Sequence, residues 1–422
     1  MNIAVVGSGI AGLGAAYTLA GGHDLTIFEA APRAGGHVYT VEANGVAIDI
    51  GFIVHNRARY PHFTALLREL KIETRPTTMS FSVADGELEW GSGSLSAMFA
   101  DRRRLASPRH WRFLVEVVRF LARAKRDLDS TLVAETSLDE YLAARGTSLE
   151  LREHFAIPLA AALWSTAQDR CGEFPAITYL SFLDQHGMLS PWQPLPWHTI
   201  VGGSKRYVDA LLAALAKRPA QFALELATPI QTIVRDATGV TLLANGRERR
   251  FDRVILATHA DTALELLADP TADERAALGA FQYSKNRTVL HTDRTFLPAR
   301  PAAHASWNYV ADPDSARVNV TYSMTRLQGL PSDPDGAPYL VTLNPRREPR
   351  GVLHEVEFTH PQFDRPALAA RKELVRIAGT HHTYYAGAHF GFGFHEDGLQ
   401  SGHAAAMRLV DDLKTARIAR LA

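Results

Sequence analysis

The chain has 422 residues, 46% hydrophobic and 21% charged, and its 45 basic and 45 acidic side chains leave no net charge. That length can bury a large core and form two domains, while the charge balance disfavours nucleic acid as a partner. A single cysteine, Cys171, excludes an intramolecular disulfide, and no run of about 18 apolar residues is present to span a bilayer.

Met1 leads directly into an apolar run, Asn2 to Val6, which leaves no room for a secretory leader and makes the cytoplasm the expected location. The run ends in Gly7-Ser-Gly9-Ile-Ala-Gly12. An Ala-rich helical segment follows from Leu13 to Ala20, then a second strand from Leu25 to Phe28 that ends on Glu29. Each part has a chemical reason. Gly7 permits a tight turn, Gly9 lets backbone approach a pyrophosphate, and Gly12 lets the helix pack close to the strand. The helix start offers unpaired N–H groups to phosphate, and Glu29 can accept from ribose hydroxyls. Strand, turn, helix, strand and acid fall in register for a dinucleotide site; this unit alone does not choose between NAD and FAD.

Beyond the second strand come Glu29-Ala-Ala-Pro-Arg33-Ala-Gly35-Gly36-His37 and a strand leading to Asp49-Ile-Gly51-Phe52. The stretch from Asp101 to Arg126 holds nine basic residues against Asp101 and Glu116. Its helical spacing predicts an apolar face of Trp111, Leu114, Val118 and Leu121, a pattern that suits packing or an anionic bilayer surface. Helical periodicity returns from Ser137 to Leu163, and Pro191, Pro194 and Pro196 break the chain. Gly202-Gly203-Ser204 precedes a helical segment, Tyr207 to Leu215. Pro229 to Ile233 and Asp252 to Thr258 read as strands, as do Arg287 to Thr292, Val318 to Tyr322 and Tyr339 to Leu343. The chain closes with Thr383-Tyr-Tyr-Ala-Gly387, a glycine loop, Phe394-His395-Glu396-Asp397-Gly398-Leu399, and an Ala-rich helix. His381, His382, His389, His395 and His403 lack the spacing of a metal site, so no metal is expected.

Taken together these blocks resemble the flavin-containing amine oxidase superfamily, which includes monoamine oxidases, protoporphyrinogen oxidases, phytoene desaturases and polyunsaturated fatty acid isomerases. More narrowly, Gly51 to Asn56, Met79 to Val83, Trp307 to Tyr309 and Gly393 to Gly398 look like a bacterial subgroup of NAD/FAD-binding proteins associated with enzymes that modify membrane fatty acids. The resemblance implies an α/β fold in which a Rossmann-type FAD-binding domain (1–75, 200–262, 380–422) is interleaved with an α+β substrate domain (76–199, 263–379). It implies noncovalent FAD, with contacts from Gly7, Gly9, Ile10, Ala11, Gly12, Glu29, Ala30 and Arg33. Further contacts are implied for Gly35, Gly36, His37, Gly51, Phe52, Ile53, Val54, Ile230, Ala257 and Thr258. The closing motif adds Gly387, His395, Glu396, Asp397, Gly398 and Leu399. Two positions depart from the family, His37 and Ala31, where arginines are usual.

Candidate catalytic residues also come from the resemblance. Phe394 stands where amine oxidases use an aromatic beside the substrate. His395 opens the last helix, and His55 follows the Asp49-Ile-Gly51 strand end. Arg287, with Lys285 two residues away, falls where many amine oxidases hold a water to the flavin with a lysine. One dinucleotide fingerprint, not two, implies that electrons come from the organic substrate. The expectation is an FAD-dependent oxidoreductase acting on a hydrophobic, fatty-acyl substrate by desaturation-type hydride transfer. The alternatives are an amine oxidase, a redox-neutral double-bond isomerase, or a flavin-binding protein without catalysis. Peripheral contact with an anionic inner membrane face through residues 101–126 is a further expectation.

Overall fold

The computed structural model describes residues 1–164, 168–190, 195–311 and 320–421. Pro191, Pro194 and Val318 lie outside the described residues. A parallel sheet carries the first motif, in the order Phe222–Glu225, Asp24–Phe28, Asn2–Val6, Arg253–Leu256 and Thr383–Tyr385. Its strands are buried on both faces: Ile3 and Val5 pack into one core cluster, Ala4 and Val6 into another. Continuous apolar strands are what a covered parallel sheet requires. The chain leaves Asn2–Val6 for a neighbour on one side and returns on the other, so the glycine turn sits where the strand order reverses, the usual ligand crevice of such sheets. Arg253–Leu256 lies inside this sheet, and Thr383–Tyr385 is its edge strand.

The helix Ile10–Leu19 starts three residues earlier than the Ala-rich segment suggested. The last helix, His395–Leu421, packs on it through glycines. A Cβ on Gly402 would stand 2.0 Å from the Ala11 carbonyl oxygen, and one on Gly14 2.6 Å from Leu399 Cδ1. These close approaches bring the starts of two helices, one from each end of the chain, to the same crevice.

A second, seven-stranded sheet runs His354–Gln362, Gln282–His291, Leu340–Leu343, Val320–Ser323, Trp307–Val310, Phe81–Ala84, Glu89–Gly91. It is antiparallel except where Trp307–Val310 lies parallel to Phe81–Ala84. Helices between residues 108 and 185 form a large aromatic and aliphatic core against it. The predicted helix from Ser137 to Leu163 is broken: Leu138–Ala144 ends at Arg145, Gly146 takes a positive φ of 61°, and the chain restarts at Leu149.

The helix Pro108–Asp127 corrects the predicted face. Its buried side is His110, Phe113, Val117, Phe120, Leu121 and Ala124, and Trp111 is exposed. The true stripe is turned by about one residue, roughly 100°. Period alone fixes that a stripe exists; the neighbours decided which one is buried, with Phe113 and Phe120 filling the core. No helix among the described residues is long and apolar enough to cross a membrane.

Candidate active site and cofactor groove

A cavity of about 600 Å³ runs from the glycine turn to the seven-stranded sheet. Gly7, Gly9, Ile10 and Ala11 border it, as do Glu29, Arg33, Gly35, Gly36 and His37. So do Gly51, Phe52, Ile53, Val54, Ala257, Thr258, Gly387, His395 and Gly398. The turn is shaped to admit a phosphate. The helix after Gly9 has no side-chain cap and no acid in its first turn, so its N–H groups are left for an anion. A Cβ on Gly9 would meet no protein atom within 4 Å, whereas one on Gly12 would fall 1.9 Å from the Gly7 carbonyl oxygen. Gly9 therefore keeps the cavity open and Gly12 keeps the helix on its strand, although Gly12 itself does not border the cavity. Glu29 accepts from the Ser8 N–H and hydroxyl at 2.9 and 2.6 Å and from the Ala31 N–H at 2.9 Å. A carboxylate accepts about four bonds, so acceptor capacity remains at the wall.

Two motif blocks far apart in sequence lock together behind this wall. Asp49 is fully buried and accepts from Ser204 N–H and hydroxyl, from Thr40 and from Gln328. Burial pushes its carboxyl up to about 6 against those donors. Arg33 donates to the Val38 carbonyl oxygen at 3.0 Å and lies over the Tyr39 ring, which holds the loop that carries Gly35 and Gly36.

His37, where arginine is usual in the family, has its ring on Phe358 at 5.0 Å and donates from Nε2 to the Thr359 carbonyl oxygen at 3.1 Å. His360 and His259 lie 5.5 and 6.2 Å from it. Burial, then the neighbouring imidazoles, push His37 down to about 3, and burial pushes His360 down to about 4 and His389 to about 3. All four rings border the cavity; burial pushes His259 down as well, and all four are neutral near pH 7. Among the described residues no group of three or more His, Cys, Asp or Glu side chains is placed to hold a metal ion. The cluster's members come from four separate segments, so spacing along the chain gave no sign of it.

At the other end the lining is aromatic and aliphatic. Trp164, Phe182, Met188 and Trp197 come from the helical layer and the strand after it; Trp307, Tyr322, Val341 and Leu343 come from the sheet. Phe394 lies among them, stacked on Phe182 at 4.5 Å and 5.0 Å from His186. His186 is pushed down to about 4 by burial. The His395 ring stacks on Phe52 at 3.8 Å, and its Nε2 is hydrogen-bonded to the Tyr207 hydroxyl at 2.6 Å. Burial holds its pKa well below the ordinary value. One nitrogen is therefore engaged by Tyr207, and the ring is neutral near pH 7.

Three candidate catalytic residues are not at the cavity. Arg287 pairs with Glu348 and Glu355 at 2.7 Å, and Lys285 lies 3.9 Å from Glu357 with its side chain 76% exposed. Successive strand residues alternate faces, and Asn286 and His360 share the inner face through a 3.0 Å hydrogen bond. Neither Arg287 nor Lys285 borders the cavity, although Glu357, the carboxylate nearest Lys285, does. His55 stands back as well: Val54 borders the cavity, while His55 is turned inward against Phe63 and His198.

Several expected cofactor contacts also stand back from the wall. Ala30 is exposed, Ile230 is in the core behind the sheet, and Leu399 packs on Gly14. Glu396 accepts from the His62 and Phe63 N–H groups at 2.9 Å and so caps another helix, Pro61–Glu69. Asp397 accepts from the Phe392 and Phe394 N–H groups at 2.8 and 3.0 Å and fixes the turn before the last helix. Burial pushes Asp397 up to about 6.

A glycine turn at a strand-order reversal, an acid at the next strand end and a second helix start facing the same groove define an FAD-binding oxidoreductase of the two-sheet type. Residues 10–410 match the family model of flavin containing amine oxidoreductases, and the chain belongs to that family. Cyclohexylamine oxidase from Brevibacterium oxydans IH-35A superposes with a TM-score of 0.71 at 16% identity, over 98% of this chain and 99% of that one. The CLA-producing fatty acid isomerase from P. acnes gives 0.68 at 18% identity, over 96% and 98%. Putrescine oxidase bound to putrescine gives 0.65 at 15%, over 97% and 99%. At such identities the likeness is one of fold. An L-amino-acid oxidase of Notechis scutatus scutatus is 49% identical over 53 residues, 12% of this chain and 10% of that relative's length. The cofactor is FAD. Bound there, it supplies a hydride acceptor, and Gly9, the free N–H groups after it and Glu29 would hold its nucleotide part.

Proposed function

We propose that this FAD-dependent oxidoreductase acts on an apolar, fatty-acyl-type substrate in the manner of a desaturation, one carbon giving up a hydride and its neighbour a proton as the double bond forms. The observation that carries this reading is the wall around Phe394: Trp164, Phe182, Met188, Trp197, Trp307, Tyr322, Val341 and Leu343 offer apolar surface without a charged group among them. Burying an ammonium or a carboxylate there without a partner would be costly. The side chains bind and align a hydrocarbon, exclude water and leave the redox step to the cofactor. Arg287 and Lys285 do not border the cavity, so in this reading the aromatic and aliphatic wall carries recognition of the substrate's chain. The reading is supported by one structural neighbour of the same fold, which is a CLA-producing fatty acid isomerase. In this reading segments 1–75, 200–262 and 380–422 form the cofactor domain, and 76–199 and 263–379 form the substrate domain.

Anaerobic mixing of the holoenzyme with fatty acids or acyl lipids tests the proposal. Bleaching of the flavin band by an acyl substrate supports it. Turnover without bleaching would point to isomerisation. Rapid bleaching by benzylamine or a polyamine, with no response to any lipid, would overturn it in favour of amine oxidation.

A further inference from the structure

The helix Pro108–Asp127 turns a side to solvent that its own fold leaves unpartnered. Trp111, Arg112, Val115, Arg119, Ala122 and Arg126 are all exposed and lie opposite the buried Phe113–Val117–Phe120 stripe. Trp111 is 48% exposed, with its ring 4.7 Å from Phe99 and its indole N–H donated to the Leu105 carbonyl oxygen. Leu105 is itself half exposed. Leu149, 63% exposed, belongs to the short helix packed beside this one, next to the Arg109–Glu150 pair. Large apolar side chains in water are ordinary when scattered; here they gather around one helix.

The charges on the same face gather in the same way. Some exposed arginines elsewhere are paired, Arg250 with Asp236, Arg287 with Glu348 and Arg376 with Asp273. Others such as Arg68, Arg247 and Arg275 are scattered singly, but here three arginines without a carboxylate partner share one side of one helix. Among the described residues, no carboxylate lies within 4.0 Å of Arg103, Arg112, Arg119 or Arg126. The nearby acids are engaged by other elements. Glu116 accepts from Ser148, Asp101 pairs with Arg300, and Asp127 pairs with Arg145.

We propose that this face docks on an anionic phospholipid surface, with Trp111, Leu105 and Val115 in the headgroup boundary and Arg112, Arg119 and Arg126 against lipid phosphates. An aromatic with a polar edge, aliphatic neighbours and unpaired guanidinium groups on one helix side match both layers of such a surface. A second copy of the chain is the wrong occupant: a two-fold contact through this helix would set Arg112 and Arg119 against their own mates. Nucleic acid fits the arginines but leaves Leu105, Val115 and Leu149 in water. This inference is independent of the redox chemistry and would stand if the substrate were an amine.

The test is co-sedimentation of the full-length holoenzyme with phosphatidylcholine vesicles, with and without phosphatidylglycerol. Binding only to the phosphatidylglycerol vesicles, with release as salt rises, is expected because surface charge is screened. Arg112→Glu with Arg119→Glu should lower the bound fraction at least ~10-fold, with the flavin spectrum unchanged. Trp111→Ser with Leu105→Ser should weaken binding to the same vesicles by about 10-fold. Equal binding to both vesicles, no binding to either, or retention of the charge-reversed variant would overturn the proposal. So would capture by duplex DNA in preference to vesicles.

Discussion

The two ends of the cavity are built by different means. At the nucleotide end the wall is backbone: Gly7, Gly9, Gly35, Gly36, Gly51 and Gly387 border it, and helix starts supply the polar groups. At the substrate end the wall is side chains from the helical layer and the second sheet, packed as a core is packed. Backbone geometry tolerates almost no substitution where a Cβ would collide, whereas a side-chain wall can be recut residue by residue. This explains how a family can keep one cofactor and change substrates.

The sharpest test of that contrast sets Gly9 against Gly12. Gly9→Val should leave the fold intact, since a Cβ there meets open space, yet raise the FAD dissociation constant by ~100-fold or more by filling the pyrophosphate position. Flavin absorbance per mole of protein and a thermal melt read both quantities. Gly12→Val should instead fail to fold, because the Cβ meets backbone at 1.9 Å. A stable, yellow Gly12→Val protein would break the account of the turn.

Next in size is Gly402→Ala, whose Cβ would lie 2.0 Å from the Ala11 carbonyl oxygen. Separating the two helices should cost about 1–3 kcal/mol, seen in denaturant unfolding, and weaken FAD binding in parallel. At the other end, Phe394→Ala should keep FAD bound and lower kcat/KM by roughly 10–100-fold, since the ring stacked on Phe182 shapes the wall. Loss of flavin from that variant would show that the two ends are not separable.

A smaller effect is expected at His37. It is neutral near pH 7, held down to about 3 by burial and by His360 and His259. An anion bound beside it would raise that pKa, so FAD affinity should increase as pH falls, with proton uptake on binding visible by calorimetry in buffers of different ionisation enthalpy. Arg33, His259 and His360 are the other charged or titratable groups that bear on it. His37→Arg should bind FAD about 10-fold more tightly at pH 8 and lose the proton uptake. The smallest effect belongs to Arg287→Gln. Its partners are surface carboxylates, so stability should change by about 1 kcal/mol or less, with flavin spectrum and turnover unchanged. A large loss of turnover would return Arg287 to the active site.

The sequence by itself determined the cofactor, the family and the first and last segments of the groove. Those signals are local: glycines at Gly7, Gly9 and Gly12, an acid at Glu29, and a glycine loop before the last helix each act through the backbone of their own segment. What only the tertiary structure decided is where side chains from different segments meet. Arg287 and Lys285 of Gln282–His291 do not border the cavity, and the strand beside Val54 turned His55 into the core. Glu396 and Asp397, read as cofactor contacts, are spent on N–H groups of a neighbouring helix and of their own turn. The histidine cluster of His37, His259, His360 and His389 was invisible because its members are far apart along the chain. Likewise, the period of Pro108–Asp127 promised an apolar face, but which face was settled by the packing of Phe113 and Phe120. Periodicity fixes that a helix has an inside; only the neighbours it packs against fix which side that is.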